Sequence, residues 1–186
     1  MTYSEKSSLK RLVFIWILAY LIIKLETETE NVIFVDESGI NRYYRRLYAR
    51  AKRGVRVHDV THGKKYKRTN IIGAKWGDKH IAMQCYQHST TAVFFEDWFE
   101  FELLPLLPEK AIVVMDNASF HRKKILCDIA ERYGIIVLFL PPYSSDFNPI
   151  EKSWANFKIW LVDNLSRFPS IDFAVDCYFN QIPLLV

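Results

Sequence analysis

Residues 111–142, AIVVMDNASFHRKKILCDIAERYGIIVLFLPP, decide the fold. Ala111 to Met115 is a short apolar run closing on an acid, Asp116, and Ile135 to Leu140 is another, ended by Pro141-Pro142. Between them Arg122 to Tyr133 reads as a helix stopped by Gly134, the residue type that accepts the left-handed backbone just past a helix end. Apolar runs this short and bounded by turn signals have the length of strands, not helices. A strand, a crossover helix and a second strand form a parallel pair. An α/β protein is therefore expected.

Toward the N-terminus, Val93, Phe94, Trp98, Phe101 and Leu104 recur at helical spacing, with Glu96, Asp97, Glu100 and Glu102 between them. That pattern predicts an amphipathic helix over Thr91 to Leu104, ended by Pro105. Thr69 to Trp76 and Lys79 to Tyr86 flank Gly77-Asp78, a two-residue hairpin signal. Asn31 to Val35 reads as a buried strand running into the turn Asp36-Glu37-Ser38-Gly39, which puts Asp36 at the strand's C-terminal end. On the other side, Asn148-Pro149-Ile150-Glu151 offers a favoured N-cap and a favoured first helical residue, so a helix is expected to about Leu165 with Glu151 in its first turn. The elements describe a mixed sheet flanked by helices.

At 186 residues, half hydrophobic and a quarter charged, the chain has the balance of one folded domain, and no repeat, low-complexity tract or linker divides it. Cys85, Cys127 and Cys177 are odd in number and far apart, so neither a disulfide framework nor a zinc site is indicated, and a reducing cytoplasm fits. The apolar run Leu12 to Ile23 has 12 residues where a membrane span needs about 20, and Lys24-Leu25-Glu26 follows it in place of a small-residue cleavage site. A buried helix or a remnant of a longer protein is the plainer reading.

The net charge of +4 conceals an asymmetry: between Asn41 and Arg68 eleven Lys or Arg residues face one acid, Asp59, so this stretch carries +10 and the remainder is net acidic. Arg45, Arg46, Arg50, Lys52, Arg53, Arg56, Lys64, Lys65, Lys67 and Arg68 are the candidates for contacting nucleic-acid phosphates, where a cationic cluster displaces condensed counterions. The bland alternative is a solvated strand pair whose charges keep an edge soluble. Tyr43, Tyr44, Tyr48 and Tyr66 lie among them, but aromatic residues in strands more often pack in a core than stack on bases.

Asp36 and Asp116 are each the first acid after an apolar strand, and open α/β sheets gather ligands at the C-terminal ends of their parallel strands. Like charges brought together there call for a cation, and oxygen-only ligation suits Mg²⁺ or Mn²⁺. Glu151 as a third acid allows two ions, the arrangement that catalyses in-line phosphodiester displacement. Each acid also has a structural reading: Asp36 and Asp116 as openers of turns, Glu151 as the partner of Asn148 in a capping box. His121 either orders a substrate phosphate or starts the helix that follows it.

Taken together, Val-Asp36-Glu-Ser-Gly, Met-Asp116-Asn-Ala-Ser-Phe-His121 and Leu-Pro-Pro-Tyr-Ser-Ser-Asp-Phe-Asn-Pro-Ile-Glu151-Lys-Ser-Trp resemble the insertion-sequence and mariner superfamily of DDE transposases. Thirty-four residues separate Asp116 from Glu151, a spacing characteristic of that superfamily. The resemblance covers about residues 31 to 165 and implies a ribonuclease H-like fold with Asp36, Asp116 and Glu151 as the catalytic, metal-binding triad. Asn117 and His121 match the surroundings of the second aspartate and are supporting residues by that match. Ser145 and Phe147 stand where the family commonly has Pro and Leu. The resemblance further implies DNA as partner, at transposon ends and target, and self-association in a synaptic complex.

The expected organisation is an N-terminal remnant or linker over residues 1–30, a catalytic domain over 31–168 and a tail over 169–186. The family carries helix-turn-helix domains ahead of its catalytic part, for which residues 1–30 are too few, so that half is expected to be separately encoded or lost. The expected activity is metal-dependent DNA cleavage and strand transfer on chromosomal DNA in the cytoplasm. The alternative is a non-catalytic DNA-binding remnant, and a ribonuclease H-like nuclease would share the metal site but leave the loop before Glu151 unexplained.

Overall fold

The computed structural model describes residues 3–25, 31–41 and 68–179. Helix α1 (Tyr3–Leu25) precedes an antiparallel meander of β1 (Val32–Asn41), β2 (Arg68–Trp76) and β3 (Lys79–Tyr86). Helix α2 (Ala92–Asp97) leads to β4 (Ile112–Met115), α3 (Lys123–Arg132) and β5 (Ile136–Phe139), and α4 (Ile150–Asn164) and α5 (Ile171–Phe179) close the order. The five strands form one sheet in the order β3-β2-β1-β4-β5. β1 pairs antiparallel with β2 and parallel with β4, and β4 pairs parallel with β5, as the strand-helix-strand pattern requires. Gly77 at φ +56° turns the hairpin and Gly134 at φ +67° ends α3, each in the left-handed region where a β-carbon is costly.

Strand alternation sorts the core into two faces. Ile33 and Val35 of β1, with Val113 and Met115 of β4, pack toward Phe95, Trp98, Phe99 and α3. Val32 of β1 and Ile112 and Val114 of β4 point the other way, onto Phe14 of α1. Ile40 and Ile71 share that second face farther along and meet Trp154, Phe157 and Leu161 of α4 and the apolar side of α5. Asp36 and Asp116 are in register with the even-numbered residues, on the side of α1 and α4.

Four expectations are corrected. β1 does not end at Val35: its parallel pairing with β4 covers Val32 to Phe34, but its antiparallel ladder with β2 runs on to Asn41, so Asp36 is an interior strand residue opposite Gly73. The helix over Thr91 to Leu104 is regular only to Asp97, then widens to a π-helical turn over Trp98–Leu103 and tightens to a 3₁₀ turn over Leu104–Leu106. In a regular α-helix the Pro105 ring would meet the Phe101 carbonyl, and Pro105 sits within the tightened turn instead of after a helix end. Asn148 does not cap α4 through its side chain, which is committed elsewhere. Nor is the apolar run at Leu12 to Ile23 a buried helix: α1 buries Phe14 but leaves Leu12, Val13, Trp16 and Ile23 exposed. No helix among the described residues is long and apolar enough to cross a membrane.

Candidate active site

Three elements deliver the three acids to one place. β1 supplies Asp36 where its parallel neighbour β4 has stopped, β4 ends at Met115 and releases Asp116, and the first turn of α4 supplies Glu151. All three line an open cavity of about 380 Å³, together with Asn117, the run Leu140 to Ser145 and Asn148. α4 is fixed against β1 by the buried Asn148 side chain, whose amide donates to the Val35 carbonyl at 3.1 Å. Its neighbour in sequence, Asp36, accepts a hydrogen bond from the Trp154 indole at 3.0 Å. Glu151, Trp154 and Lys158 recur at intervals of three and four along α4, so one helical face carries all of them past Asp36.

The electrostatics are those of a crowded anionic site. Burial above all, with the carboxylates of Glu37, Asp116 and Glu151 adding to it, pushes the Asp36 carboxyl up to about 7. Glu151 is raised too, by partial burial and then by Asp116 and Asp146. Asp116 goes the other way, because a hydrogen bond from His121 stabilises its ionised form against burial. Burial opposes a charge on His121, but the Asp116 carboxylate at 3.2 Å and the Glu37 carboxylate at 3.6 Å outweigh this and push the imidazole up to about 9. Lys158 is lowered by burial, with the Asp36 charge acting against that shift.

His121 neither starts α3, which begins at Lys123, nor reaches solvent. Its side chain is 1% exposed, with Nδ1 3.2 Å from Asp116 Oδ1 and Nε2 3.6 Å from Glu37 Oε1. Phe95 packs against its ring with centroids 4.2 Å apart. The imidazole therefore clamps the second aspartate from behind. Asn117 is an exposed residue of the cavity wall.

Two groupings of acids compete as a metal centre. Glu37, Asp116 and His121 bring ligand atoms within 4.8 Å of one another. Neither Glu37 nor His121 lines the open cavity, and the His121 side chain is 1% exposed behind Asp116, which suits an ion-pair partner. Asp36, Asp116 and Glu151 offer only oxygens and face an open cavity, and their mutual repulsion helps to raise the Asp36 carboxyl. They fit a hard divalent ion.

Among the residues with a bearing on the site, the sequence reading missed Glu37, Trp154 and Lys158. Trp154 and Lys158 were accessible from helical spacing after Glu151, whereas Glu37 is adjacent to Asp36 and reaches His121 from the opposite face of β1. Of the basic candidates, Arg45, Arg46, Arg50, Lys52, Arg53, Arg56, Lys64, Lys65 and Lys67 lie outside the described residues. Arg68 opens β2, exposed, with its guanidinium so close over Gly39 that a β-carbon there would overlap it.

Residues 31–172 match a family model described as DDE superfamily endonuclease. No curated protein sequence matches the chain. Among solved structures, the Mos1 transposase paired-end complex with left transposon end superposes with a TM-score of 0.72 at 15% identity, covering 98% of this chain and 57% of that one. The Mos1 mariner paired end complex with Mn gives 0.70 at 17% identity, with coverage of 98% and 57%. The catalytic domain of Mos1 mariner transposase gives 0.64 at 16% identity, covering 98% of this chain and 85% of that domain. The chain spans somewhat over half the length of the full Mos1 chains and shares the ribonuclease H-like fold of their catalytic part. On the family match over most of its length, the chain belongs to the DDE superfamily of endonucleases.

Proposed function

We propose that this chain is the catalytic part of a DNA transposase, with a unit over residues 31–168 that cuts and joins strands at the ends of a transposable element using divalent cations held by Asp36, Asp116 and Glu151. The observation that carries this reading is the convergence of the three carboxylates, from β1, the end of β4 and the first turn of α4, on one open cavity. Mg²⁺ or Mn²⁺ bound there, as one ion or two, would polarise a scissile phosphate and lower the pKa of an attacking water or 3′-hydroxyl.

The protein's own groups prepare that site. His121 holds Asp116 ionised and fixes its orientation, and Trp154 fixes one Asp36 oxygen. Asn148 sets the distance between α4 and β1, and with it the reach of Glu151. The cationic block of residues 42–68 suits a polyanionic substrate, and the Mos1 structures with a similar fold contain a transposon end in one case and Mn in another. Self-association on two such ends belongs to the same reading.

The test is a Mg²⁺- or Mn²⁺-dependent cleavage and strand-transfer assay on duplexes carrying the inverted repeats that flank the gene. Asp36→Asn, Asp116→Asn and Glu151→Gln should each lower the rate on the order of a thousandfold, the loss of several kcal/mol of charge stabilisation. Equal rates for wild type and Asp116→Asn would sink the assignment.

A further inference from the structure

The segment Tyr143 to Phe147 contributes Tyr143, Ser144 and Ser145 to the wall of the carboxylate cavity and leads into Asn148 and Glu151, with only a short stretch of regular backbone of its own. Tyr143 is a non-glycine residue at φ +59°, and only a single 3₁₀ turn over Ser145–Phe147 follows before α4. Left-handed backbone at a tyrosine persists when its surroundings hold it there.

Part of what holds it comes from the other end of the chain. Arg11 of α1 donates to the Tyr143 carbonyl at 3.4 Å and makes an ion pair with Asp146. Its guanidinium carbon lies 4.5 Å from the centroid of the Phe147 ring, and Phe14, one turn farther along α1, stacks on the same ring with centroids 6.1 Å apart. Phe14 is itself buried among Val32, Ile112, Val114 and Leu140. One arginine thus touches three positions of a five-residue segment, and the adjacent turn of its helix is anchored in the sheet.

We propose that Arg11 is a positioning residue for the active site: with Phe14 it clasps Tyr143, Asp146 and Phe147, holding the loop before Glu151 in shape. The clasp stands on the geometry alone, whereas its effect on cations rests on the metal-site reading above. A planar guanidinium can bond a carbonyl and a carboxylate while lying on a ring, and an ammonium cannot do all three.

The experiment uses the full chain, as wild type, Arg11→Gln and Arg11→Lys, with two readouts. In metal-free protein, amide hydrogen exchange at Phe147 and Asn148, whose N–H groups bond the Ser144 and Ser145 carbonyls, should quicken roughly fivefold in Arg11→Gln, the scale of one exposed ion pair. Exchange along β4 and β5 should stay as in wild type, and Arg11→Lys should fall between the two. In calorimetric titration with Mn²⁺, Arg11→Gln should bind about tenfold more weakly, the usual effect of disturbing an outer-shell support. Unchanged exchange at Phe147 and Asn148 in Arg11→Gln overturns the clasp, as does a uniform quickening that includes β4 and β5. Mn²⁺ binding that is equal in wild type and Asp116→Asn would overturn the metal-site reading instead, and the exchange measurement would still decide the clasp.

Discussion

Asp36 shares its cavity with two other carboxylates while Glu37 presses from the next position, and burial holds its proton to about pH 7. A cation entering the site must displace that proton, so Mn²⁺ affinity should climb with pH up to about 7 and level off above it. Calorimetry in two buffers of different ionisation enthalpy would measure proton release near pH 6, and Asp36→Asn should abolish it. A flat affinity profile in wild type would contradict the shift. Trp154 is the neutral donor in this environment, at 3.0 Å from Asp36. Trp154→Phe keeps most of the ring in the core and removes the N–H, so urea unfolding should show a loss of about 1 kcal/mol, with Mn²⁺ binding weakened as well. Asp116 and Glu151 were readable because each sits at an element boundary, and Asp36 because the apolar run of its strand stops just before it, although the strand itself runs on. Trp154 was quoted in the motif but given no role, because an indole in an amphipathic helix looks like core, and here it is both core and donor.

At the level of elements, the placement of α4 turns on Asn148, and there local rules misled. Asn-Pro ahead of a helix is a strong capping signal, and Glu three residues after Asn completes the box. In the fold the Asn148 amide instead crosses to the Val35 carbonyl, tying the start of α4 to the strand that carries Asp36. A long-range buried hydrogen bond outcompeted a local one, which spacing alone does not reveal. Asn148→Ala would leave that carbonyl unpaired in the interior and should cost about 1–3 kcal/mol in chemical denaturation. Cleavage should fall with all three acids intact, because Glu151 loses its register against Asp36. Full activity in a variant destabilised by that amount would show that the bond serves stability alone. β1 was misjudged for a related reason. Its unbroken apolar run stops at Val35, but strand pairing with β2 does not need apolar side chains and continues through Glu37 and Ser38 to Asn41.

Across the whole molecule, the layered core was legible from alternation and helical spacing, while the role of α1 was not, because apart from Val32 its partners, Ile112 and Val114 in β4 and the loop before Glu151, lie far along the chain. The charges on the two sides of that sheet set how stability responds to pH. Asp36 has its folded pKa raised from 3.8 to about 7, so the metal-free fold is penalised as pH rises through that interval, by on the order of 4 kcal/mol once the group is fully ionised. His121 has its pKa raised from 6.5 to about 9, so the stability it contributes is complete below 6.5 and is lost as pH rises through 9. Asp116 is depressed, so its contribution is lost only in acid. Glu151, also raised, acts in the same direction as Asp36 and His121, and thermal unfolding of metal-free protein should therefore fall steadily in midpoint from about pH 5 to about pH 9. Mn²⁺ binds the folded state and compensates the Asp36 charge, so the midpoint gained on adding it should be larger at pH 8 than at pH 5.5. In Asp36→Asn the decline between about pH 4 and about pH 7 should flatten, while the decline above it, which belongs to His121, should remain. A metal-free midpoint that rises through neutral pH would contradict both assignments at once.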